Sequence, residues 1–313
     1  MTPTHPDLRA IRFLPGFSWG PRLTGLVRRV RPRPADLGPE VTASELHLPG
    51  TAGNPDVSVR LLRPALAEGP TPLLLWVHGG GLISGSPEQD DRANAGFVRS
   101  LGIAVAAVRY RLAPDAVAPA AAEDVYSAFV ALVERAGRLG IDPARIAIGG
   151  ASAGGGLAAA ATLMAVDRPG PVPVFQLLVY PMLDDRTVLR TDMDTTNVHV
   201  WMPGSNRYGW ATYLGTDPGS PDVSAYAAPA RRTDLAGLPP AWVGVGANDL
   251  FHDEDVDYAE RLRAAGVDCT LEVVPGAFHG FDAVMPKAGV SRAFWLAQAR
   301  ALQGALTASP RHG

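Results

Sequence analysis

An apolar run that ends in a serine among small residues places the strongest constraint on how this chain can fold. Residues 146–151 read Ile-Ala-Ile-Gly-Gly-Ala, and Ser152 separates them from the helix-forming residues 153–161. This order predicts a buried strand, a sharp turn and a helix. Gly150 and Gly154 flank the serine in Gly-x-Ser-x-Gly spacing, and because they lack β-carbons the chain can reverse tightly there. The turn is predicted to expose the serine hydroxyl above the edge of a sheet.

The predicted position of Ser152 suits a nucleophile. At the start of a helix, unpaired N–H groups and the helix dipole favour developing negative charge. A serine among glycines is nevertheless more often a loop or a close-packing point, and the motif alone decides little. The hypothesis therefore depends on partner residues elsewhere in the chain.

A serine nucleophile needs a base, and the base needs a group that fixes its tautomer. Of the seven histidines, only His279 lies in a glycine-flanked loop just past a late predicted strand. Asp249 directly follows another buried strand, so it is predicted at the carboxyl edge of the sheet, where the crevice of an open α/β sheet lies. The nearby Asp253, Glu254 and Asp255 are expected instead to complement the dipole of a helix in its first turn.

A glycine run follows the buried strand that ends at Val77. In His78-Gly79-Gly80-Gly81, consecutive glycines allow bare N–H groups to approach a ligand closely. A flexible turn and a phosphate-binding loop are the alternatives. The lysine of a P-loop is missing, however, and no acidic residue stands at the end of a following strand. Together with the serine turn downstream, the run favours an oxyanion-hole loop.

Strand and helix patterns alternate along the chain and predict a doubly wound, mostly parallel α/β sheet. Strands are expected at 45–49, 57–61, 73–77, 103–108, 146–151, 174–180, 241–245 and 270–274. Helices are expected at 87–101, 120–139, 153–161, 255–265 and 291–306. The first two strands are predicted to form a half-exposed edge hairpin because their apolar residues alternate. The interval from 181 to 240 is longer than a connection needs, which indicates an insertion.

Charge and composition exclude several classes of function. The formal net charge of −3 gives no basic field for nucleic acid or an anionic membrane surface, so a small-molecule ligand is expected. No run approaches the ~18 apolar residues of a spanning helix, and no export signal is found, so stable membrane insertion is not expected. Cys269 is the single cysteine, which fits a reducing compartment and a cytoplasmic location. The sequence leaves a homodimer open.

The motifs together resemble the hormone-sensitive-lipase family of bacterial esterases over residues 45–300. The resemblance rests on His78-Gly79-Gly80-Gly81, Tyr110-Arg111-Leu112-Ala113-Pro114, Gly150-Ala151-Ser152-Ala153-Gly154-Gly155, Asp249 and His279-Gly280-Phe281. It implies an α/β-hydrolase fold and acyl transfer by Ser152, His279 and Asp249, with no metal or organic cofactor. It also implies that the N–H groups of Gly80, Gly81 and Ala153 bind the oxyanion. Many members carry Asp, Glu or Thr where this chain has Ala151.

The resemblance further implies a cap over the site. The cap is expected from the N-terminal arm, residues 1–40, and from an insertion at about 183–235 within a catalytic domain of residues 41–313. Aromatic and methionine side chains are frequent in the insertion, namely Trp201, Met202, Tyr208, Trp210 and Tyr213. If they line the site, they predict a pocket for short to medium acyl chains; alternatively, they form the core of the cap.

Three other functions stay open on the sequence. Receptors arise on this fold when a member of the Ser-His-Asp set is lost, but all three residues are present here. An amidase or peptidase could use the same residues. A lipase acting on long-chain lipid should carry a longer and more apolar cap than this proline-broken insertion provides.

Overall fold

Eight strands form a single sheet in the computed structural model, which describes residues 2–13, 18–30, 33–51 and 53–307. The strands lie in the order β1-β2-β4-β3-β5-β6-β7-β8. Their bounds are β1 (Val41–Leu48), β2 (Val57–Pro64), β3 (Thr71–Val77), β4 (Ala104–Arg109), β5 (Ile141–Ala151), β6 (Gln176–Val179), β7 (Ala241–Gly246) and β8 (Cys269–Val274). Residues 1, 14–17 and 31–32 of the predicted arm and 308–313 of the predicted catalytic domain lie outside the described ranges, as does residue 52.

Helices cover both faces of the sheet, as the alternating pattern predicts. One apolar layer packs α3, α5 and α7 against the sheet, and the other packs α2 and α9. The α-helices of the described residues are α1 (Pro21–Val27), α2 (Asp91–Leu101), α3 (Ala120–Glu134), α4 (Ala136–Leu139), α5 (Ala153–Asp167), α6 (Pro203–Leu214), α7 (His252–Ala264), α8 (Phe281–Val284) and α9 (Gly289–Thr307). Short 3-10 helices occupy Pro6–Phe13, Pro87–Asp90, Asp185–Leu189 and Pro229–Arg231.

The predicted mostly parallel α/β sheet is confirmed. β2 pairs antiparallel with β1 and β4, and the pairs β4-β3, β3-β5, β5-β6, β6-β7 and β7-β8 are all parallel. The parallel strands β3, β4, β6 and β7 are buried along nearly their whole length because helices lie on both faces. Their carboxyl ends therefore meet at one edge, which is where the loops that carry the predicted site residues begin.

The prediction of a half-exposed hairpin is wrong for β2. β1 is mostly exposed, but β2 lies second in the sheet and most of its residues are buried. Arg60 lies at a position that the alternation assigned to solvent, yet its guanidinium binds the Asp91 carboxylate of α2, with N–O distances of 2.8 and 3.1 Å. Both side chains are buried, so the charge is neutralised inside the protein.

Two element boundaries also differ from those expected. The single helix predicted over 120–139 is interrupted at Arg135, whose backbone leaves helical geometry (φ −102°, ψ 5°). Gly137 follows and lowers the helix propensity of the last turn. β5 begins at Ile141, earlier than expected. Ile141 pairs with Thr71, residues 142–145 leave the ladder at a register shift, and pairing resumes where Ile146 lies opposite Leu73.

The N-terminal arm contacts two separate parts of the molecule. Near its start, the N–H of His5 donates to the carbonyl oxygen of Gly276, in the loop that carries His279. Further along, the N–H of Trp19 donates to the Oγ of Ser205 in α6 at 2.9 Å. The first part of the arm thus holds a loop of the sheet edge, and the second part holds the insertion.

A buried ion pair joins the two ends of the insertion between β6 and β7. Arg231 pairs with the buried Asp185 at 2.7 and 2.9 Å, which joins the two 3-10 helices of the insertion. No helix of the described residues combines the length and the apolar character that crossing a membrane requires.

Candidate active site

Ser152 occupies the predicted sharp turn between β5 and α5. Its backbone has φ 57° and ψ −124°, a conformation that a residue with a side chain rarely adopts. Only glycine fits at the two flanking positions. A β-carbon at Gly150 would overlap the backbone of Gly154, and one at Gly154 would overlap the carbonyl oxygen of Val77. The tight approach of β3, β5 and α5 therefore fixes the position of the serine.

Ser152, His279 and Asp249 lie in a hydrogen-bonded line. The Nε2 of His279 is 2.8 Å from the Oγ of Ser152, and its Nδ1 is 2.8 Å from the Oδ2 of Asp249. The other carboxylate oxygen of Asp249 accepts the N–H of Phe251 at 2.9 Å. The side chain of Asp249 is fully buried, and only a small part of His279 is exposed. The loops after β5, β7 and β8 thus bring the three predicted residues together.

Two aromatic rings hold the imidazole of His279 from its sides. The rings of Tyr180 and Phe251 each pack edge-to-face against the imidazole, with centroid distances of 4.9 and 5.1 Å. Tyr180 has a positive φ of 36°, a strained value for an aromatic residue, and its hydroxyl donates to Asp282 at 2.8 Å. Sequence reasoning missed both rings, because neither belongs to a motif that signals contact with a distant histidine.

The glycine run after β3 lies against the serine turn. A β-carbon at Gly79 would lie 3.4 Å from the Cβ of Ser152, so the loop and the turn are in contact. Gly80 and Gly81 have φ values of 124° and 61°, which favour glycine. Within the described ranges, the N–H groups of Gly80, Gly81 and Ala153 have no hydrogen-bond acceptor. Three unpaired donors near a serine hydroxyl are suited to a developing oxyanion.

His78 packs against the glycine loop in the protein interior. It is buried, its Nδ1 lies 2.8 Å from the carbonyl oxygen of Gly79, and its ring stacks on Tyr110 at 4.3 Å. Burial lowers the pKa of His78 to about 4, so the imidazole is neutral at pH 7 and donates from Nδ1. The Tyr110 hydroxyl donates to the carbonyl oxygen of His78, which links two of the motifs noted in the sequence.

The acidic residues after Asp249 lie in the first turn of α7, as expected, but two of them are not on the surface. Asp253 is exposed and pairs with Arg190. Glu254 is buried and accepts the N–H groups of Leu183 and Asp184 at 2.7 and 3.1 Å, so it anchors the start of the insertion. Asp255 is fully buried; among the described residues, neither of its carboxyl oxygens has a hydrogen-bond partner.

Burial raises the pKa of Asp255 well above its ordinary value. The sequence analysis expected this residue to complement the helix dipole, because a sequence does not show which face of a first helical turn is covered. The structure therefore corrects the predicted role of Asp255 in complementing the helix dipole, because burial disfavours the charged form on which that role depends.

The bulky residues of the insertion divide into two groups. The ring of Trp201 lies over Gly81, where an added β-carbon would overlap its Cη2, and its Nε1 donates to Asn206 at 3.2 Å. Trp210 is fully buried and packs against Tyr213 with ring centroids 6.1 Å apart. Trp201 thus lies beside the glycine loop, whereas Trp210 and Tyr213 belong to the apolar layer that also contains residues of α3, α5 and α7.

No group of three or more His, Cys, Asp or Glu side chains in the described part of the chain is arranged to hold a metal ion.

Residues 74–283 match the model of a family described as an alpha/beta hydrolase fold. The chain belongs to the α/β-hydrolase family. Its similarity to the hormone-sensitive-lipase branch, first inferred from the motifs, is confirmed.

Individual α/β-hydrolases resemble the chain over most of its length. It is 37% identical over 254 residues to the carboxylic ester hydrolase LipN of Mycobacterium tuberculosis, covering 78% of this chain and 66% of LipN, just under two thirds of that relative. It is 35% identical over 265 residues to carboxylesterase NlhH of the same species, covering 79% of this chain and 78% of NlhH. The solved structure of a bacterial heroin esterase superposes with a TM-score of 0.88 at 37% identity, covering 97% of this chain and 98% of that one.

Proposed function

We propose that this α/β-hydrolase cleaves carboxylic esters through an acyl-enzyme intermediate on Ser152. The observation that carries the proposal is the line of two 2.8 Å hydrogen bonds from Asp249 through His279 to the serine hydroxyl. Nucleophile, base and orienting carboxylate in this order suit acyl transfer. The named activities of the similar proteins LipN and NlhH favour an ester as the substrate.

In the proposed mechanism, His279 takes the proton of Ser152 as the hydroxyl oxygen attacks the ester carbonyl. Asp249 stabilises the imidazolium that forms and keeps its Nδ1 protonated. The negative oxygen of the tetrahedral intermediate receives hydrogen bonds from the N–H groups of Gly80, Gly81 and Ala153. The bond to the alcohol oxygen then breaks, and that oxygen takes the proton from Nε2. Water repeats the sequence and releases the acid.

The cap of the proposed enzyme consists of residues 18–30 of the arm together with the insertion at 183–235. Trp19 supports this division, because it contacts the insertion at Ser205 and its ring lies 6.5 Å from that of Trp201. Residues 2–13 belong instead to the catalytic domain, since His5 binds the loop at Gly276. The arm predicted as one unit is thus divided between the two parts.

The same enzyme should prefer short to medium acyl chains. The ring of Trp201 over Gly81 supports this preference, because the acyl carbonyl must bind beside that glycine for its oxygen to reach the N–H groups. A bulky ring at this place limits the room in which the acyl chain can extend.

Hydrolysis of p-nitrophenyl esters from acetate to palmitate tests the proposal. The wild-type protein should hydrolyse the short esters, with kcat/KM rising to butanoate or hexanoate and then falling. Ser152→Ala should abolish hydrolysis while its thermal transition stays close to that of the wild type, because the hydroxyl is a reactant rather than a packing group. Activity of this variant within a few-fold of the wild type would refute the assignment of the nucleophile.

A further inference from the structure

The end of β6 and the residues after it contact both the proposed nucleophile and the proposed base. The N–H of Ser152 donates to the carbonyl oxygen of Val179 at 2.9 Å, and the carbonyl oxygen of Ser152 accepts the N–H of Met182 at 3.0 Å. Between these two anchors, the ring of Tyr180 packs against the imidazole of His279 with a centroid distance of 4.9 Å. One short stretch of chain therefore binds the backbone of the nucleophile and the side chain of the base.

The backbone of Tyr180 is held in a strained conformation. Its φ of 36° lies in the left-handed region, which a residue with a β-carbon enters only where the surrounding structure requires it. Its N–H donates to the carbonyl oxygen of Gly244 in β7 at 2.7 Å. Its ring also stacks on Phe294 in α9, with the ring planes 15° apart and the centroids 6.3 Å apart. Strain of this kind is typical of residues that serve a functional site.

The hydroxyl of Tyr180 is held by Asp282. It donates to Oδ1 of this carboxylate at 2.8 Å, and among the described residues it has no other hydrogen-bond partner. Because Tyr180 is buried, loss of this acceptor would leave a polar group unpaired away from water. Burial raises the pKa of Asp282, while the hydrogen bond from Tyr180 and the charge of a protonated His279 act against that rise. Asp282 thus interacts with both the tyrosine and the base.

These contacts close a ring that passes through both reacting side chains. Asp282 stands three residues after His279, in the first turn of α8. From its carboxylate the contacts run through Tyr180 to the backbone of Ser152. From the Oγ of Ser152 they return to the Nε2 of His279 at 2.8 Å. Movement of the tyrosine ring would therefore alter the distance over which the proton is transferred.

Hydrogen bonds alone do not fix the plane of the imidazole. The contacts of its Nδ1 with Asp249 and of its Nε2 with Ser152 leave the ring able to tilt about the line that joins the two nitrogens. The rings of Phe251 and Tyr180 limit this tilt by packing against it. Of these two rings, only that of Tyr180 carries a polar group, so its place depends on a hydrogen bond.

We propose that Tyr180 and Asp282 form a positioning pair for the base, in which Asp282 holds the tyrosine ring and the ring holds the imidazole of His279 in line with the Oγ of Ser152. The inference rests on the proposed ester hydrolysis, in which His279 moves a proton during both formation and breakdown of the acyl-enzyme. Neither member of the pair gives or takes a proton. The pair therefore affects the rate through the geometry of the base.

Steady-state kinetics with p-nitrophenyl acetate, well below the melting temperature of each variant, test the pair. Tyr180→Phe removes only the hydroxyl, and Asp282→Ala removes its acceptor. Each should lower kcat roughly tenfold and leave KM unchanged, because a loosened base slows both steps without altering ester binding. Asp282→Asn keeps an oxygen that can accept the hydroxyl and should retain kcat within about twofold. If Asp282→Ala does not fold, Tyr180→Phe decides the outcome.

The variant that combines Tyr180→Phe with Asp282→Ala shows whether the two residues act as one unit. Its kcat should fall roughly tenfold, as in either single variant, because the second change removes nothing further from the contact. Losses that multiply would show that the residues act independently and would overturn the pair. A kcat for Asp282→Asn as low as that of Asp282→Ala would overturn it as well.

Two matched controls separate positioning from stability. Tyr258→Phe removes the hydroxyl of another buried tyrosine, which has no hydrogen-bond partner among the described residues. Asp90→Ala removes a half-buried carboxylate that accepts the Nε1–H of Trp76 at 2.8 Å. Both should keep the kcat of the wild type, although Asp90→Ala should melt at a lower temperature.

A lowered melting temperature of Tyr180→Phe with an unchanged kcat would refute the positioning role and leave the ester hydrolysis standing. An equal loss of kcat in the controls would refute it too. Absence of ester hydrolysis in the wild type would instead refute the proposed function.

Discussion

Replacing Trp201 and Trp210 separately by alanine distinguishes a pocket wall from a buried core residue. Trp201 lies over Gly81, whereas Trp210 is fully buried against Tyr213. Removing the first ring opens space next to the acyl carbonyl. Removing the second leaves a cavity in the buried apolar layer and leaves the ring of Trp201 over Gly81 in place.

The size of each effect can be worked from burial. Each methylene group that an acyl chain buries contributes about 0.8 kcal/mol. If Trp201→Ala admits two further methylenes, kcat/KM for the longer ester should gain about 1.6 kcal/mol, or roughly fifteenfold, relative to the wild-type profile. Trp210→Ala should instead lower the free energy of unfolding by about 3–5 kcal/mol and leave the chain-length optimum unchanged.

The assay combines p-nitrophenyl esters from acetate to dodecanoate with thermal unfolding of each variant. Trp201→Ala also loses the hydrogen bond to Asn206, so its melting temperature should fall as well, and the position of the optimum is the deciding measurement. An optimum that stays in place in Trp201→Ala, or that moves equally in both variants, would refute the assignment of Trp201 to the pocket wall.

Three further variants test other parts of the account. Asp249→Asn should lower kcat roughly 10³–10⁴-fold, by analogy with the serine proteases, and a loss below tenfold in steady-state kinetics would show that another group orients the base. Asp255→Asn should stabilise the protein more at pH 7 than at pH 4 in denaturant titrations. Burial raises the pKa of Asp255 in the folded state, so the folded protein holds this proton at pH values where the unfolded chain loses it. Over that range above pH 4, the free energy of unfolding of the wild type falls by up to about 1.4 kcal/mol per pH unit. A difference between variant and wild type that does not change with pH would contradict this. Gly154→Ala should unfold at a much lower temperature because its β-carbon overlaps the carbonyl oxygen of Val77, whereas Gly304→Ala, with open space, should not; equal melting temperatures would contradict the packing argument.

The position of the site could be predicted because its signals are local. The glycines around Ser152 are required by close approaches of backbone atoms, those of Val77 in β3 among them, and because only glycine fits there the constraint appears as a short motif. Asp249 and His279 each directly follow a strand, and parallel strands bring their carboxyl ends to one edge whatever the details of packing. The fold class and the three residues therefore follow from short segments taken one at a time.

Features that depend on which surface covers which residue could not be predicted. Arg60 alternates with apolar residues as an exposed residue does, and only α2, far along the chain, supplies the Asp91 that pairs with it. The sequence pattern around Asp255 is typical of a carboxylate at a helix start, but the packing of α7 buries the side chain. The contact between Tyr180 and Asp282 joins residues 102 positions apart, and no pattern in either segment refers to the other.

Labelling with diethyl p-nitrophenyl phosphate, followed by intact mass and peptide mapping, tests the central claim most directly. This ester phosphorylates an activated serine and leaves a stable adduct in place of the acyl-enzyme. The account predicts one diethylphosphoryl group per chain, on Ser152, formed with loss of esterase activity and absent in Ser152→Ala and His279→Ala. Loss of activity with the label on any other residue, or full activity after Ser152 is labelled, would contradict the claim that this serine carries the acyl group.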